Sequence, residues 1–82
     1  MPEPLTTLFG QIIRRRREAA GLSQEELGEN TNLSRNYIGM VERGETNPTL
    51  LVLQSLAIAL GTTMVSLVGE LEGETATPVK TR

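Results

Sequence analysis

Two stretches of this chain concentrate side chains able to recognise a charged or hydrogen-bonding partner: "RRRR" at Arg14 to Arg17, and "SRNYIGM" from Ser34 to Met40. Catalysis has little to work with. The sequence holds no histidine and no cysteine, so zinc and most transition metals lose their usual ligands and Ser-His or Cys-His nucleophile pairs cannot be assembled. No metal, no cofactor and no enzymatic activity are expected, and a disulfide framework is excluded. Recognition remains. An arginine fork matches guanine or phosphate and an asparagine amide matches adenine, which makes both stretches candidates for a nucleic-acid surface.

Charge must be read by its distribution. The formal net charge is -2, and from Met1 to Glu45 six arginines face seven glutamates. The remainder sets Lys80 and Arg82 against Glu70, Glu72 and Glu74. Neither half is basic, so a nucleic-acid surface has to be a local patch without glutamates. Helix geometry also takes the arginine run apart. At about 100° per residue, Arg14 to Arg17 spread around almost the whole circumference and cannot all meet one partner. Arg15 is expected to be simply solvated.

The elements that position these residues are punctuated by chemistry. Alternating β-branched runs are missing, so an all-α, compact five-helix bundle is expected, with one domain and a marginal core. The first helix covers Leu5 to Ala20, with Leu5, Phe9, Ile12, Ile13 and Ala20 on one face and Gly21 as its stop. Ser23 with Glu26 forms a capping box for a second helix, which Asn30 to Asn32 interrupt. Ser34 caps a third, Arg35 to Arg43, closed by Gly44. A short turn between two short helices makes a helix-turn-helix shape. Thr49 caps a fourth helix ending near Leu60, apolar almost all round and therefore expected in the middle of the bundle. The fifth begins near Thr63. Residues 1–71 form the expected domain and 72–82 a polar, mobile tail. The apolar run from Leu50 to Leu60 is broken by Gln54 and Ser55 and is too short to span a bilayer, and "MPEPLTTLFG" carries no secretory pattern. A soluble, cytoplasmic chain with no membrane partner is expected.

From Gly21 to Thr49, "GLSQEELGENTNLSRNYIGMVERGETNPT" resembles the XRE family of helix-turn-helix domains, the family of phage Cro and lambda-type repressors. "GLSQEEL" opens the second helix, "LSRNYIGMVERG" is the recognition segment, and "NPT" leads into the fourth helix. A looser match covers Leu5 to Leu71. The combination of "RNYIGMVERG" with "NP" looks most like small stand-alone members, including controller proteins of restriction-modification systems. The resemblance implies a sequence-specific regulator that binds double-stranded DNA. Within Arg35 to Arg43 the physics agrees: Ile38 and Val41 form a stripe able to lock the helix to the bundle, leaving Arg35, Asn36, Gly39 and Met40 on the other side.

The resemblance also implies roles for individual residues. Base contacts come from Arg35, Asn36 and Met40, with Tyr37 reaching phosphate or an edge base. Gln24, at the start of the second helix, and Arg14, at a basic family position, are assigned to the DNA backbone; Ser34 and, from their place just past the recognition helix, Arg43, Thr46 and Asn47 are assigned there as well. Glu42 forms an internal ion pair with Arg17, whose stem starts beside the core. Breaking a buried pair of this kind costs roughly 3–5 kcal/mol. Arg16 departs from the family, which usually has an apolar residue there, so it either extends its charge past the bundle edge or shifts the packing of the first helix. Gly28, where alanine is common, lowers helix propensity and brings the second and third helices closer.

A single domain reads one half-site, so a homodimer on a pseudo-palindromic operator is the simplest arrangement. Leu60, Met64, Leu67, Val68 and Leu71 form the candidate dimer interface, although the same spacing describes ordinary core packing. The alternative function is an antitoxin-like or adaptor protein that uses this fold mainly to bind protein.

Overall fold

Small hydroxyl side chains decide where four of the helices start, Thr63 capping the last of them by accepting the Ser66 N–H at 3.0 Å. In the computed structural model, which describes residues 4–75, the oxygens of Ser23, Ser34 and Thr49 each accept the backbone N–H three residues on, at 3.0, 2.9 and 3.2 Å. Each bond satisfies a donor that a first helical turn would otherwise leave unpaired. Glu26 completes the capping box by accepting the Ser23 backbone N–H at 2.8 Å. Five helices result: α1 Leu5–Ala19, α2 Gln24–Thr31, α3 Arg35–Glu42, α4 Leu50–Ala59 and α5 Met64–Thr75. The described residues contain no strand. The fold is all-α.

Two helix ends differ from expectation. α2 runs through Asn30 to Thr31, where the threonine hydroxyl donates back to the carbonyls of Leu27 and Gly28. Asn32 then adopts a left-handed φ of 60° as the cap, which a short polar side chain tolerates. α5 continues past Leu71 to Thr75, so the domain boundary expected there falls inside a helix. Its last turn is not loose, because Glu74 reaches Arg15 on α1 at 3.0 Å. The rest of the expected tail, 76–82, lies outside the described residues.

One core joins all five helices: Phe9, Ile12 and Ile13 from α1, Leu27 from α2, Ile38 and Val41 from α3, Leu56 and Ala57 from α4, and Leu67 from α5. α1 packs on α3 and α5, α2 on α3 and α4, and α4 on α5. Leu5 and Ala20, expected on the buried face of α1, are exposed; Arg17 is buried there instead. α4 is not central. Leu50, Leu51 and Ile58 are 71–75% exposed, because a helix in so small a bundle has neighbours on one side only.

Two helix crossings depend on the absence of a side chain. A Cβ on Gly10 would collide with the carbonyl oxygens of Val41 and Glu42, where α1 crosses the end of α3. At Gly28 a Cβ would stand 2.5 Å from the Leu33 carbonyl oxygen, which itself belongs to the turn into α3. The glycine departure therefore sets the closeness of the helix-turn-helix. No single helix among the described residues is long and apolar enough to cross a membrane.

Candidate nucleic-acid interface

Packing of α3 determines what it presents outward. Ile38 and Val41 are 0% and 1% exposed, which fixes the helix against the core and leaves Arg35 and Asn36 exposed. Tyr37 is half-buried against the core and Met40 is half-buried one turn further on. The Asn36 amide nitrogen lies 4.0 Å from the Met40 sulfur, so the two form one continuous surface at four-residue spacing. Ser34 sits at the head of the same surface. Its oxygen accepts from Tyr37 N, and its hydroxyl hydrogen is left to donate.

Carboxylates pair with every other described arginine. Arg14 pairs with Glu18 on its own helix at 3.1 Å, with both side chains exposed. Arg15, expected to be simply solvated, instead bridges α1 to α5 through Glu70 at 3.3 Å and Glu74 at 3.0 Å. Arg16 donates to Glu70 at 2.9 Å and to the Ser66 hydroxyl at 3.1 Å. The unusual cation at the bundle edge is thus matched by an acid on α5. Arg35 alone among the described arginines pairs with no carboxylate.

Arg17 and Glu42 meet in the interior between α1 and α3. Arg17 Nε donates to Glu42 Oε2 at 2.6 Å and Nη2 to Oε1 at 3.1 Å, a bidentate pair, while Nη1 donates to the Leu22 carbonyl at 2.8 Å. Both residues are 9% exposed. The hydrogen bonds to Glu42 outweigh burial and raise the Arg17 guanidinium above its ordinary value, so the charge is retained inside. Gln24 joins the same group: its Nε2 donates to Glu42 Oε1 at 3.0 Å. That bond was not legible from sequence, since it crosses from the first residue of α2 to the last of α3. It holds the side chain assigned to phosphate while leaving the second amide hydrogen unused. No buried side-chain nitrogen or oxygen among the described residues lacks a partner.

Past α3, Arg43 folds back over the helix. Its guanidinium occupies space that a side chain at Gly39 would need, with Nη1 2.9 Å from where a Cβ would lie. Glu45 accepts from Arg43 Nε and Nη2 at 3.0 and 3.1 Å. These hydrogen bonds hold the Glu45 carboxyl below the usual carboxylate range and raise Arg43, so both stay ionised at neutral pH. Thr46 and Asn47 lie in the connection to α4. Asn47 borders a shallow apolar groove with Leu5, Phe9, Leu53 and Val68.

The stripe assigned to a dimer interface divides. Leu67 is 0% exposed and belongs to the core, so it is unavailable to a second chain. Leu60, Met64 and Leu71 are half-buried against that core, and Val68 is 37% exposed. Spacing alone cannot separate these cases, because a residue's fate depends on whether α1 or solvent faces it. The described residues hold no histidine, cysteine, aspartate or glutamate cluster suited to a metal ion.

A helix-turn-helix family model matches residues 13–67, from the middle of α1 into α5. The chain is 45% identical over 60 residues to the control protein C.SmaI of Serratia marcescens, spanning 73% of this chain and 71% of that one. Among solved structures it is similar to the restriction-modification controller protein C.AhdI from Aeromonas hydrophila, with a TM-score of 0.74 and 44% identity over 76% of this chain and 94% of that one. It is also similar to the controller protein C.Esp1396I, solved as a tetramer in complex with its natural 35 base-pair operator. That likeness has a TM-score of 0.78 and 29% identity, covering 88% of this chain and 95% of the other. Capped α2 and α3 joined by a tight turn, the exposed start of α3 and these matches lead to one conclusion: the chain belongs to the helix-turn-helix family.

Proposed function

We propose that this chain is a sequence-specific DNA-binding transcriptional regulator, without enzymatic activity, that acts in the cytoplasm as a homodimer on a pseudo-palindromic operator. The observation that carries this reading is Arg35, the one described arginine without a carboxylate partner, exposed at the start of α3 beside Asn36. An unpaired fork and a carboxamide at the leading end of such a helix suit guanine and adenine edges in the major groove. Met40 and Tyr37 extend the contact along the helix. Gln24, Ser34, Arg43, Thr46 and Asn47 serve the flanking backbone, where contacts orient the protein without reading sequence. Support comes from the relatives, among them a controller protein solved on its operator.

Dimerisation follows from the half-site geometry, since two domains reading one groove face lie about 34 Å apart or a multiple of that. With Leu67 in the core, exposed apolar side chains on the outer edge of α4 and α5 support an interface there. Leu51 and Ile58, seven residues apart, and Val65 are 71–82% exposed, and Ile58, Met64 and Val65 border one depression between the helices. Ile58→Glu is expected to give a folded monomer in sedimentation; an unchanged dimer would place the interface elsewhere. The regulator itself is tested by selecting bound sequences from a random duplex pool. A twofold-symmetric site whose affinity falls steeply with salt supports it. If no sequence is enriched, the protein-binding adaptor takes its place.

A further inference from the structure

Glu45 fills the fork of Arg43 as a phosphate would. Two parallel bonds, 3.0 and 3.1 Å, run from Nε and Nη2 to the two carboxylate oxygens, the same bidentate geometry that arginine offers to a phosphate. The chain is built to hold Glu45 there. After Arg43, Gly44 turns with φ 75°, and its N–H donates to the Val41 carbonyl while the Glu45 N–H donates to the Met40 carbonyl at 2.9 Å. This paired cap fixes the Glu45 backbone against the last turn of α3. The absence of a side chain at Gly39 lets the guanidinium lie back along that helix. Unlike the buried Arg17 pair, both partners are more than half exposed, at 55% and 52%, where exchange of one anion for another is easy in water.

We propose that Glu45 is a specificity-determining residue: an internal substitute for phosphate that occupies Arg43 until docking on the operator brings a DNA phosphate to displace it. The inference rests on the chain being a DNA-binding regulator. Away from a matching site, Arg43 and Glu45 form a neutral unit that adds little to long-range attraction. When Arg35 and Asn36 have docked, a backbone phosphate is held against the fork and replaces the carboxylate. Non-specific binding is thereby suppressed more than operator binding. The net charge of -2 is consistent with a protein that selects by base contact and limits general attraction.

The experiment measures affinity for the selected operator and for a random-sequence duplex, each across a salt series, in the wild type, Glu45→Gln, Arg43→Ala and the double variant. Glu45→Gln is expected to raise random-duplex affinity severalfold, to raise operator affinity less, and to steepen the salt slope by about 0.9, as for one further phosphate contact. In the Arg43→Ala background the same change is expected to have no such effect. Unchanged random-duplex affinity and slope in Glu45→Gln overturns the proposal. So does an equal gain without Arg43, which would mark general charge repulsion. Wild type that selects an operator while Glu45→Gln changes nothing defeats this proposal alone, whereas wild type that selects none defeats the regulator reading and this with it.

Discussion

The arginine run of α1 and the lone Arg35 of α3 carry the same guanidinium and opposite environments. Arg14 to Arg17 each find a glutamate, on α1, α5 or α3; Arg35 finds none. Cation density is therefore a poor guide to where this molecule would meet DNA. What matters is whether folding brings a carboxylate within reach, because a paired arginine must give up its partner before it meets an outside acceptor, whereas an unpaired one is already free to do so. The loudest basic stretch is mostly scaffold, while a single quiet arginine heads the candidate reading surface.

The largest test of this contrast is Glu42→Ala. It strands the buried Arg17 charge, at an expected loss of roughly 3–5 kcal/mol. Thermal melts without DNA should fall by more than about 10 °C; a melt within about 2 °C of wild type would put Arg17 in the same class as the surface arginines. Arg35→Ala should do the reverse. Stability stays level while operator affinity drops by roughly 1–3 kcal/mol and one base position relaxes, read by binding titrations on single-base operator variants. A drop in both would erase the distinction between scaffold and reader.

Smaller effects sharpen the gradation within the run. Glu70→Gln removes the carboxylate shared by Arg15 and Arg16 and should lower stability by about 1 kcal/mol in urea unfolding, at the upper end for partly exposed pairs. Arg14→Ala, which loses only an exposed pair along one helix, should stay within about 0.5 kcal/mol in the same assay. Equal losses at Glu70 and Arg14 would mean that tying α1 to α5 adds nothing beyond a local pair.

Much of the fold could be read from residues close in sequence. Caps at Ser23, Ser34 and Thr49 act over three residues, and the stripe of Ile38 and Val41 over one turn, so both follow from local chemistry. The Arg17 and Glu42 pair came into view through the resemblance of "ERG" to a family word, and the structure brings the two side chains to bidentate contact. Other features depended on elements far apart in the chain. Arg15 and Arg16 looked solvated or misplaced until α5 set Glu70 beside them, and Leu67 looked like an interface residue until folding buried it in the shared core.

By itself, then, the sequence determined the helix starts, the all-α class, the orientation of α3 and the family to which it belongs, because capping, periodicity and short motifs act within a turn or two of the chain. Only the tertiary structure decided which arginines are already occupied, which apolar side chains of α4 and α5 remain outside, and that Gln24 and Glu45 engage Glu42 and Arg43. For most of these the reason is reach: a salt bridge or a buried face depends on what a distant helix places within a few ångströms. Glu45 is the exception in distance but not in kind, since its capture of Arg43 depended on a backbone cap and a vacant Gly39 that residue types alone did not assemble.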